Sequence, residues 1–310
     1  MAGAQRVYKQ KIKATTTLEK VFRAMELIAA SRIAKARDTA MGADPYTKAL
    51  TEAIAAVAAH SHVESQPLLR KRTDTNRVAV LVVTSDRGMA GAYSTNVLRE
   101  ADNLIDELRE AGKDPVLYVS GRRGESYYRF RGVPIEKTWT GDSDKPDPAV
   151  AEEIGNELMR AFLAPSDEGG VAEVVLVFTR FETMVRQVVQ TRHMLPIEIV
   201  HDTMEMDTHF VEEVTSDEET AGIAPLYDFE PSADEVFGKL LPLYMRQRVY
   251  SILLMAAASE LASRQQAMHA ATDNAKNLIE EYTRKANNAR QAEITTEITE
   301  IVSGADALSN

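Results

Sequence analysis

The first sixty residues carry apolar side chains at intervals of three and four, which is the spacing of one face of an α-helix. The positions are Leu18, Val21 with Phe22, Met25, Ile28 with Ala29, Ile33 and Ala36. Sixteen of the sixty residues are alanine, the strongest helix former. The pattern predicts a long helix over residues 1–63, with a kink or short break near Pro45, which follows Gly42.

A second long helix is predicted over residues 234–310, because a seven-residue repeat runs along it. The coiled-coil seam that this repeat defines is Leu261, Met268, Ala275, Leu278, Tyr282 and Ala289, with Ala271 and Ala292 at the position of Leu278. Small seam residues let two backbones approach closely, although Arg264 and Lys285 also fall on the seam. The terminal helices are therefore predicted to pair with each other; the alternative is two helices of a globular bundle.

Residues 76–203 read as a separate domain in which short β-branched runs alternate with helical patterns. The strand candidates are Val78–Thr84, Val116–Ser120 and Val174–Thr179, with Val185–Thr191 and Ile197–Val200 as further ones. Helical patterns occupy Tyr93–Ala111 and Ala149–Leu163. Strands that alternate with helices at this spacing pair in parallel through right-handed crossovers. The predicted fold class is α/β, a small Rossmann-like domain combined with long terminal helices.

The net charge of −11 is unevenly distributed along the 310 residues. Residues 1–60 hold ten Lys and Arg against five Asp and Glu, whereas Glu205–Glu235 contains eleven acidic residues. Residues 204–233 show little periodicity and are predicted to form an acidic loop or linker. The asymmetry suggests partners of different sign, with a solvated acidic loop as the simpler interpretation.

Composition narrows the class of protein. Hydrophobic residues make up 44% and charged residues 27% of the chain, as in an ordinary soluble protein. The chain has no cysteine, which excludes disulfides, thiolate metal sites and thiol nucleophiles and favours a reducing compartment. No apolar run reaches the roughly 18–20 residues of a membrane-spanning helix, and the polar start lacks the apolar core of a signal peptide.

A search for reaction chemistry finds no catalytic constellation. The turn Ser85–Tyr93 follows the first strand and contains glycines, but it matches neither GxGxxG nor the P-loop pattern, so a tight strand-to-helix turn is the favoured interpretation. The six histidines contain no HExxH pattern, and His60 and His62 are poorly spaced to share a metal on a helix. The sequence predicts no catalytic residue, no cofactor and no metal site.

Three stretches carry a resemblance to a known family. They are Ile12–Arg37, Ser85–Tyr93, and the segment from Met268 to Ala275 with its continuation through Ala289–Ala292 and Ile301–Ala305. In this order, the chain resembles the gamma subunit of F-type ATP synthase over its whole length. The resemblance implies a central rotor shaft, in which the terminal helices form an antiparallel coiled coil inside a ring of three alpha and three beta subunits.

The resemblance also implies the partners and the location. The α/β domain is expected to contact the epsilon subunit and the membrane-embedded c-ring, and ATP chemistry is expected on beta, so this subunit is no enzyme by itself. Proton-driven rotation would change the nucleotide affinities of the beta sites, and ATP hydrolysis would drive the reverse rotation. The resemblance implies no nucleic-acid partner and no direct membrane span. The absence of a transit peptide favours a bacterial source, with the complex on the cytoplasmic face of the cell membrane.

Matching the family's motifs residue by residue assigns candidate contact residues. The residues expected to contact the beta subunit are Arg290, Gln291, Met25, Arg23 and Lys20. The tip held in the bearing of the catalytic head is expected at Ile298, Ile301, Val302 and Leu308. Asp86, Arg87 and Gly88 match a turn of the lower domain, for which the expectation is a partner-facing or structural role.

The chain departs from the family pattern at several positions. Phe22 and Ala286 stand where a threonine and an aromatic residue are more frequent, which suggests that a large side chain on one helix compensates for a small one on the other. The acidic stretch Glu205–Glu235 is longer than the family minimum, and we hypothesise that it contacts the stator or c-ring. Two alternatives to a rotor stay open from the residues alone, a nucleotide-dependent enzyme with dimerising helices and a coiled-coil scaffold.

Overall fold

A computed structural model of the chain describes residues 2–60, 66–197, 229–230 and 232–308. These residues contain five α-helices and five strands, in the order α1 Ala2–His60, β1 Arg77–Val83, α2 Tyr93–Glu110, β2 Asp114–Ser120, α3 Arg122–Phe130, β3 Lys137–Trp139, α4 Pro148–Leu163, β4 Glu173–Phe181, β5 Gln187–Leu195 and α5 Ala233–Leu308. The chain forms two compact units, the paired-helix unit of residues 1–30 with 264–310 and the α/β unit of residues 31–263. The predicted α/β fold class is confirmed.

The five strands form one sheet with the order β3-β2-β1-β4-β5. Strands β3, β2, β1 and β4 are parallel, and β5 joins β4 as an antiparallel edge strand. The predicted core strands lie at β1, β2 and β4. Sequence reasoning missed β3, which has three residues, and α3, whose sequence is largely polar with only Gly124 and Tyr128 buried.

The strand predicted at Ile197–Val200 is not observed at its described residue. Strand β5 ends at Leu195, and the Ile197 N–H donates to the Leu68 carbonyl oxygen at 2.9 Å instead of to a neighbouring strand. Pro196 has no N–H to continue the ladder, which gives a physical reason for the end of the strand. Residues 198–200 lie outside the described residues, as does most of the predicted acidic loop 204–233.

Alternate residues of β1 serve two separate hydrophobic layers. Val78, Val80 and Val82 pack in a cluster with side chains of α2 and α3 on one face of the sheet. Ala79, Leu81 and Val83 belong to the cluster on the other face, with α4, the last turns of α1 and the first half of α5. Both faces of the sheet are therefore covered, as parallel sheets require.

The two long helices each pass through a proline. Helix α1 continues through Gly42 and Pro45 without the break that the sequence suggested, and α5 contains Pro242. A proline removes one intrahelical hydrogen bond and crowds the preceding turn. Near Pro45 this cost is offset by the buried side chains of Leu50, Ile54 and Val57 in the core of the α/β unit.

Candidate functional site

Asp86, one of the candidate residues in the lower-domain turn, lies just beyond the carboxyl end of β1 and binds three backbone amides. Its Oδ1 accepts from the N–H of Arg122 at 3.0 Å, and its Oδ2 accepts from Gly141 at 2.9 Å and Ser143 at 3.0 Å. Its own N–H donates to Ser143 Oγ at 2.8 Å. The side chain is 7% exposed. Asp86 thus ties together the segments that follow β1, β2 and β3, which is a structural arrangement.

Two glycines allow α3 to pack closely on the end of β1. A Cβ at Gly121, whose φ is +99°, would collide with the Thr84 carbonyl oxygen, and a Cβ at Gly124 would lie 2.9 Å from Thr84 Oγ1. With glycine present, Thr84 Oγ1 donates to the Ser120 carbonyl oxygen at 3.0 Å and accepts from the Gly124 N–H at 2.9 Å. The first turn of α3 is therefore positioned by the backbone of β1.

The glycine-containing turn itself does not enclose a nucleotide-sized cavity. The cavity at the carboxyl ends of β1, β2 and β3, lined among others by Tyr93 and Trp139, has a volume of about 40 Å³. That is room for a water or two rather than for a ligand of several hundred Å³. Gly88 has open space around its Cα, and Met89, which is exposed, adopts φ = 62°. This geometry favours the tight-turn interpretation of the motif.

A larger cleft of about 540 Å³ lies in the α/β unit, and we call it the basic cleft. Its charged lining residues are Arg32, Lys35, Arg87, Asp142, Asp144 and Lys145. Arg32 of α1 forms an ion pair with Asp144, and Tyr250 and Leu254 of α5 supply apolar lining. Burial, with a smaller effect of the nearby Asp147 carboxylate, raises the pKa of Tyr250 above its ordinary value. The lining holds four cationic groups and two acidic ones, which suits an acidic ligand.

Sequence reasoning did not single out the basic cleft. Arg32 and Asp144 are 112 residues apart, and neither belongs to a short motif that points to the other. Arg87 was a candidate residue and is exposed at this cleft. The basic character of residues 1–60 indicated a contact with acidic groups, but it could not show which loop carries them.

In the paired-helix unit, α1 and α5 run antiparallel. Glu26 Oε1 lies 2.9 Å from His269 Nδ1, and the Tyr8 and Tyr282 rings lie 6.3 Å apart. The Lys11 ammonium lies 5.9 Å from the Tyr8 ring centroid and 5.4 Å from that of Tyr282, within cation–π range. The later residue of α1 therefore meets the earlier residue of α5.

The buried row on α5 follows a regular alternation of four and three. It comprises Met268, Thr272, Ala275, Ile279, Tyr282, Ala286 and Ala289, which are buried or half-buried. The prediction that Leu278 belongs to the seam is wrong, because its side chain is 40% exposed while Ile279 is covered. Leu278 and Ile279, three and four positions after Ala275, lie on opposite sides of the buried row. Both are aliphatic, so the sequence pattern did not distinguish them.

The covered face of α1 agrees with the predicted one in part, since Phe22, Met25 and Ala29 are buried or half-buried. It runs through Gln5, Tyr8, Ile12, Thr15, Glu19, Phe22, Glu26 and Ala29, again at intervals of three and four. Leu18, Val21 and Ile28, which the pattern placed on that face, are about half exposed. Apolar residues occur on two sides of this helix, so periodicity alone could not identify the side that meets α5.

The suggested compensation between Phe22 and Ala286 is wrong. Phe22 lies one turn before Glu26, which meets His269, whereas Ala286 lies one turn beyond Tyr282, which meets Tyr8. The two positions are therefore several turns apart along the helix pair. Ala286 is buried and Phe22 half-buried, each against a different stretch of the partner helix.

The predicted partner-contact residues lie on the outside of the paired-helix unit and form two groups. Arg290 and Gln291 are exposed beyond Tyr282, whereas Lys20 and Arg23 are exposed, and Met25 half-buried, on the stretch of α1 just before Glu26. The structure does not bring these two groups together. At the end of α5, Ile298, Ile301 and Val302 are exposed, with Ile301 at 71%. The side chain of Leu308 lies outside the described part of the chain.

The overall fold is that of ATP synthase central-stalk subunits. It is similar to a chain in the central stalk and c-ring structure of the Tetrahymena thermophila mitochondrial ATP synthase, with a TM-score of 0.55, 20% identity, and coverage of 81% of this chain and 99% of that chain. It is also similar to a chain of the Euglena gracilis mitochondrial ATP synthase, with a TM-score of 0.62, 14% identity, and coverage of 99% and 95%.

The sequence specifies the family. The ATP synthase family model matches residues 4–308. The ATP synthase gamma chain of Beutenbergia cavernae is 57% identical over 309 residues, covering 100% of this chain and 99% of the relative. The chain belongs to the ATP synthase gamma chain family.

Membership of this family confirms the resemblance seen in the sequence and the non-catalytic assignment. A gamma chain is a stalk subunit of ATP synthase and not its catalytic subunit, and it is a peripheral part of the complex. Among the described residues, no helix is long and apolar enough to cross a membrane, and no cluster of three potential metal ligands occurs.

Proposed function

We propose that the chain is the turning shaft of a bacterial F-type ATP synthase, coupling c-ring rotation to the nucleotide affinities of the beta subunits. The carrying observation is the antiparallel pairing of the two chain ends while apolar side chains remain outside the pair. Exposed examples are Leu18, Leu27, Ile28, Ile298, Ile301 and Val302. A helix pair that left so much apolar surface in water would gain little stability from its own burial, so this surface suits a surrounding housing.

The shaft has two proposed levels of contact with the beta subunit. Arg290 and Gln291 form one level on α5; the planar guanidinium of Arg290 can bind a carboxylate through two parallel hydrogen bonds. Lys20, Arg23 and Met25 form the other level on α1. The exposed Ile298, Ile301 and Val302 form the bearing tip together with Leu308, and apolar contact there permits rotation without fixed hydrogen-bond partners.

The basic cleft of the α/β unit is a further proposed contact with an acidic segment of beta. Lys35 and Lys145 line it together with Arg32 and Arg87, and the cleft is open to solvent on the outside of the unit. Long-range attraction of this kind raises association rates and weakens with salt. The remaining proposed partners are the alpha subunits, epsilon and the c-ring, with the complex on the cytoplasmic face of the cell membrane.

A reversible cross-link between shaft and housing tests the rotation directly. The chain has no cysteine, so Gln291→Cys introduces the one thiol of this chain. A second cysteine is placed on the facing beta loop of the reassembled complex, and an added oxidant joins the two thiols in a disulfide. Oxidation is expected to abolish ATP hydrolysis, and reduction to restore it, because a locked shaft cannot complete a turn. Gln291→Cys without the beta cysteine is the control and should stay active under oxidation.

The outcome is decisive in both directions. Full hydrolysis by a complex whose gamma and beta chains are quantitatively cross-linked would contradict rotation of this chain against beta. Failure of the chain to assemble with alpha, beta and epsilon subunits would contradict the assignment of partners.

A further inference from the structure

Asp86 occupies an unusual position because its one buried carboxylate binds backbone amides of two other segments at the sheet edge. The amides that it binds belong to Arg122 at the start of α3, and to Gly141 and Ser143 after β3. Arg122 Nε lies at 4.0 Å, the limit of an ion pair, so the backbone amides supply most of the compensation for the buried charge. Hydrogen bonds to an ionised acceptor are stronger than neutral ones.

The segment that Asp86 binds, residues 141–147, is here called the carboxyl-edge loop. Asp86 holds its first half at Gly141 and Ser143. A turn follows, in which the Lys145 N–H donates to the Asp142 carbonyl oxygen at 3.0 Å. Its last residue, Asp147, caps α4 by accepting from the Ala149 N–H at 2.8 Å. Both ends of the loop are therefore fixed, one by Asp86 and the other by a helix.

The residue between these two anchors is Asp144, which forms the ion pair with Arg32 of α1. The Asp144 side chain is 16% exposed and that of Arg32 46% exposed, so the pair lies partly shielded from water. Other contacts of α1 within the α/β unit are of a different kind. Ile33 packs in a small apolar cluster with Phe181 and Leu261, so α1 has apolar as well as ionic contacts within the unit, and the ion pair joins it to the carboxyl-edge loop.

We infer that Asp86 is a positioning residue for the shaft. It holds the carboxyl-edge loop in the position at which Asp144 forms its ion pair with Arg32, and it thereby couples the sheet to helix α1. This inference rests on the proposed function in so far as the coupling carries torque. The chain of contacts runs from the carboxyl end of β1 through the loop to α1.

A proximity measurement on the full-length chain tests the positioning. Arg32→Cys with Asp144→Cys creates a thiol pair that a short bis-maleimide can bridge. The two substitutions also remove the ion pair, so the position of residue 144 then depends on the anchors of the loop, while the packing of Ile33 holds residue 32. Adding Asp86→Asn replaces one acceptor oxygen with an NH₂ group that faces amide donors. The bridging rate is expected to fall about tenfold, because the loop loses charge-assisted hydrogen bonds.

A matched pair separates local positioning from general loosening. Thr47 and Gln247 join α1 and α5 in the same unit, with Gln247 Nε2 donating to Thr47 Oγ1 at 2.8 Å. The bridging rate of a Thr47→Cys, Gln247→Cys pair should be the same with and without Asp86→Asn. Unchanged bridging at 32 and 144, or an equal fall at both pairs, would overturn the inference.

Amide exchange gives a second readout that needs no new cysteine. Gly141 and Ser143 N–H groups are expected to exchange about tenfold faster in Asp86→Asn than in the natural chain. If that variant does not fold, Ser143→Ala removes only the hydroxyl that accepts from the Asp86 N–H and should accelerate exchange of the Asp86 amide. Unaltered exchange at these amides would also overturn the inference.

The torque-carrying part is tested in the reassembled complex. Asp86→Asn and Asp144→Asn should each lower ATP-driven proton pumping per ATP hydrolysed, by about twofold or more, while Asp106→Asn on α2 leaves it unchanged. Normal pumping in Asp86→Asn, together with slowed bridging at 32 and 144, would refute torque transmission through this contact. That result would leave the shaft assignment intact, because the Gln291 cross-link tests rotation separately.

Discussion

The two compact units bury different kinds of side chain. The α/β unit has fully buried large residues on both faces of its sheet, including Phe162, Phe178 and Phe237. Among the described residues of the paired-helix unit, the buried positions are mostly small, such as Ala29, Ala275 and Ala286, with Met268 as a larger one. Burial of apolar area contributes roughly 25 cal/mol per Å². The large buried side chains therefore stabilise the α/β unit strongly, whereas the small buried side chains of the paired-helix unit contribute much less free energy.

Both units also leave apolar side chains exposed. In the paired-helix unit these include Leu18, Val21, Ile298 and Ile301, and in the α/β unit they include Phe130 and Val185. A self-sufficient core suits a part that must resist load, and an apolar exterior on a slim helix pair suits a part enclosed by other subunits. The difference indicates that the paired helices depend on their housing for much of their rigidity.

The largest expected effect is in the core of the α/β unit. Phe178→Ala, in a side chain that is fully buried in β4, should lower the free energy of unfolding by about 3–5 kcal/mol, through lost burial and a residual cavity. Urea denaturation of the purified chain measures this. A loss below about 1 kcal/mol would mean that the sheet core is not the main source of stability.

Close packing of the helix pair is tested next. Ala275→Leu adds methylene groups at a buried position of the α5 row and should destabilise the chain by about 1–3 kcal/mol. Ala292→Leu, at an exposed position almost three turns beyond Tyr282, is the matched control and should change stability by less than about 0.5 kcal/mol. Equal effects of the two substitutions would contradict the buried row on α5.

The exterior of the paired helices should affect function and not stability. Arg290→Ala removes an exposed side chain, so the free energy of unfolding should change by less than about 0.5 kcal/mol. Coupled ATP synthesis in membrane vesicles should fall severalfold, because the proposed contact with beta is lost. Normal synthesis rates in vesicles that contain the variant would remove Arg290 from the proposed contacts.

The smallest effect is expected from a surface ion pair of the α/β unit. Arg72 donates to Asp74 at 2.5 Å and 3.0 Å, and this hydrogen bonding lowers the pKa of Asp74 from 3.8 to about 2. Because the folded-state pKa is the lower one, the contribution is complete above about pH 4 and is lost as the pH falls towards 2. Acid titrations of stability should be flatter in this window for Asp74→Asn, and identical profiles would show that the pair contributes nothing.

Some features of the fold could be read from single segments of sequence. The continuous apolar runs of β1 and β4 and the periodicity of α2 and α4 are local signals, and the structure places elements there. Strand β3 could not be read in this way, because three residues at a sheet edge owe their conformation to pairing with β2. Helix α3 is equally dependent on context, since Gly121 and Gly124 are explained only by the nearby Thr84.

The candidate residues divide along the same line. The exposed positions of Arg290 and Gln291 agree with a contact role that motif matching alone had suggested, and that role stays a prediction. The structural role of Asp86 depends on Gly141 and Ser143, which follow it by more than fifty residues and belong to a loop without a recognisable motif. No local pattern encodes such a meeting.

By itself, the sequence determined that this protein has two long terminal helices, an intervening α/β sheet and the gamma-chain motifs, because periodicity and motif identity are properties of short segments. Only the tertiary structure decided which flank of each long helix is covered. Leu278 and Ile279 are almost equally apolar, and Ile279 is the covered one because the register set by contacts such as Glu26 with His269 turns that flank towards α1. Adjacent side chains on a helix point about 100° apart, so a shift by one residue changes which side chain faces the other helix.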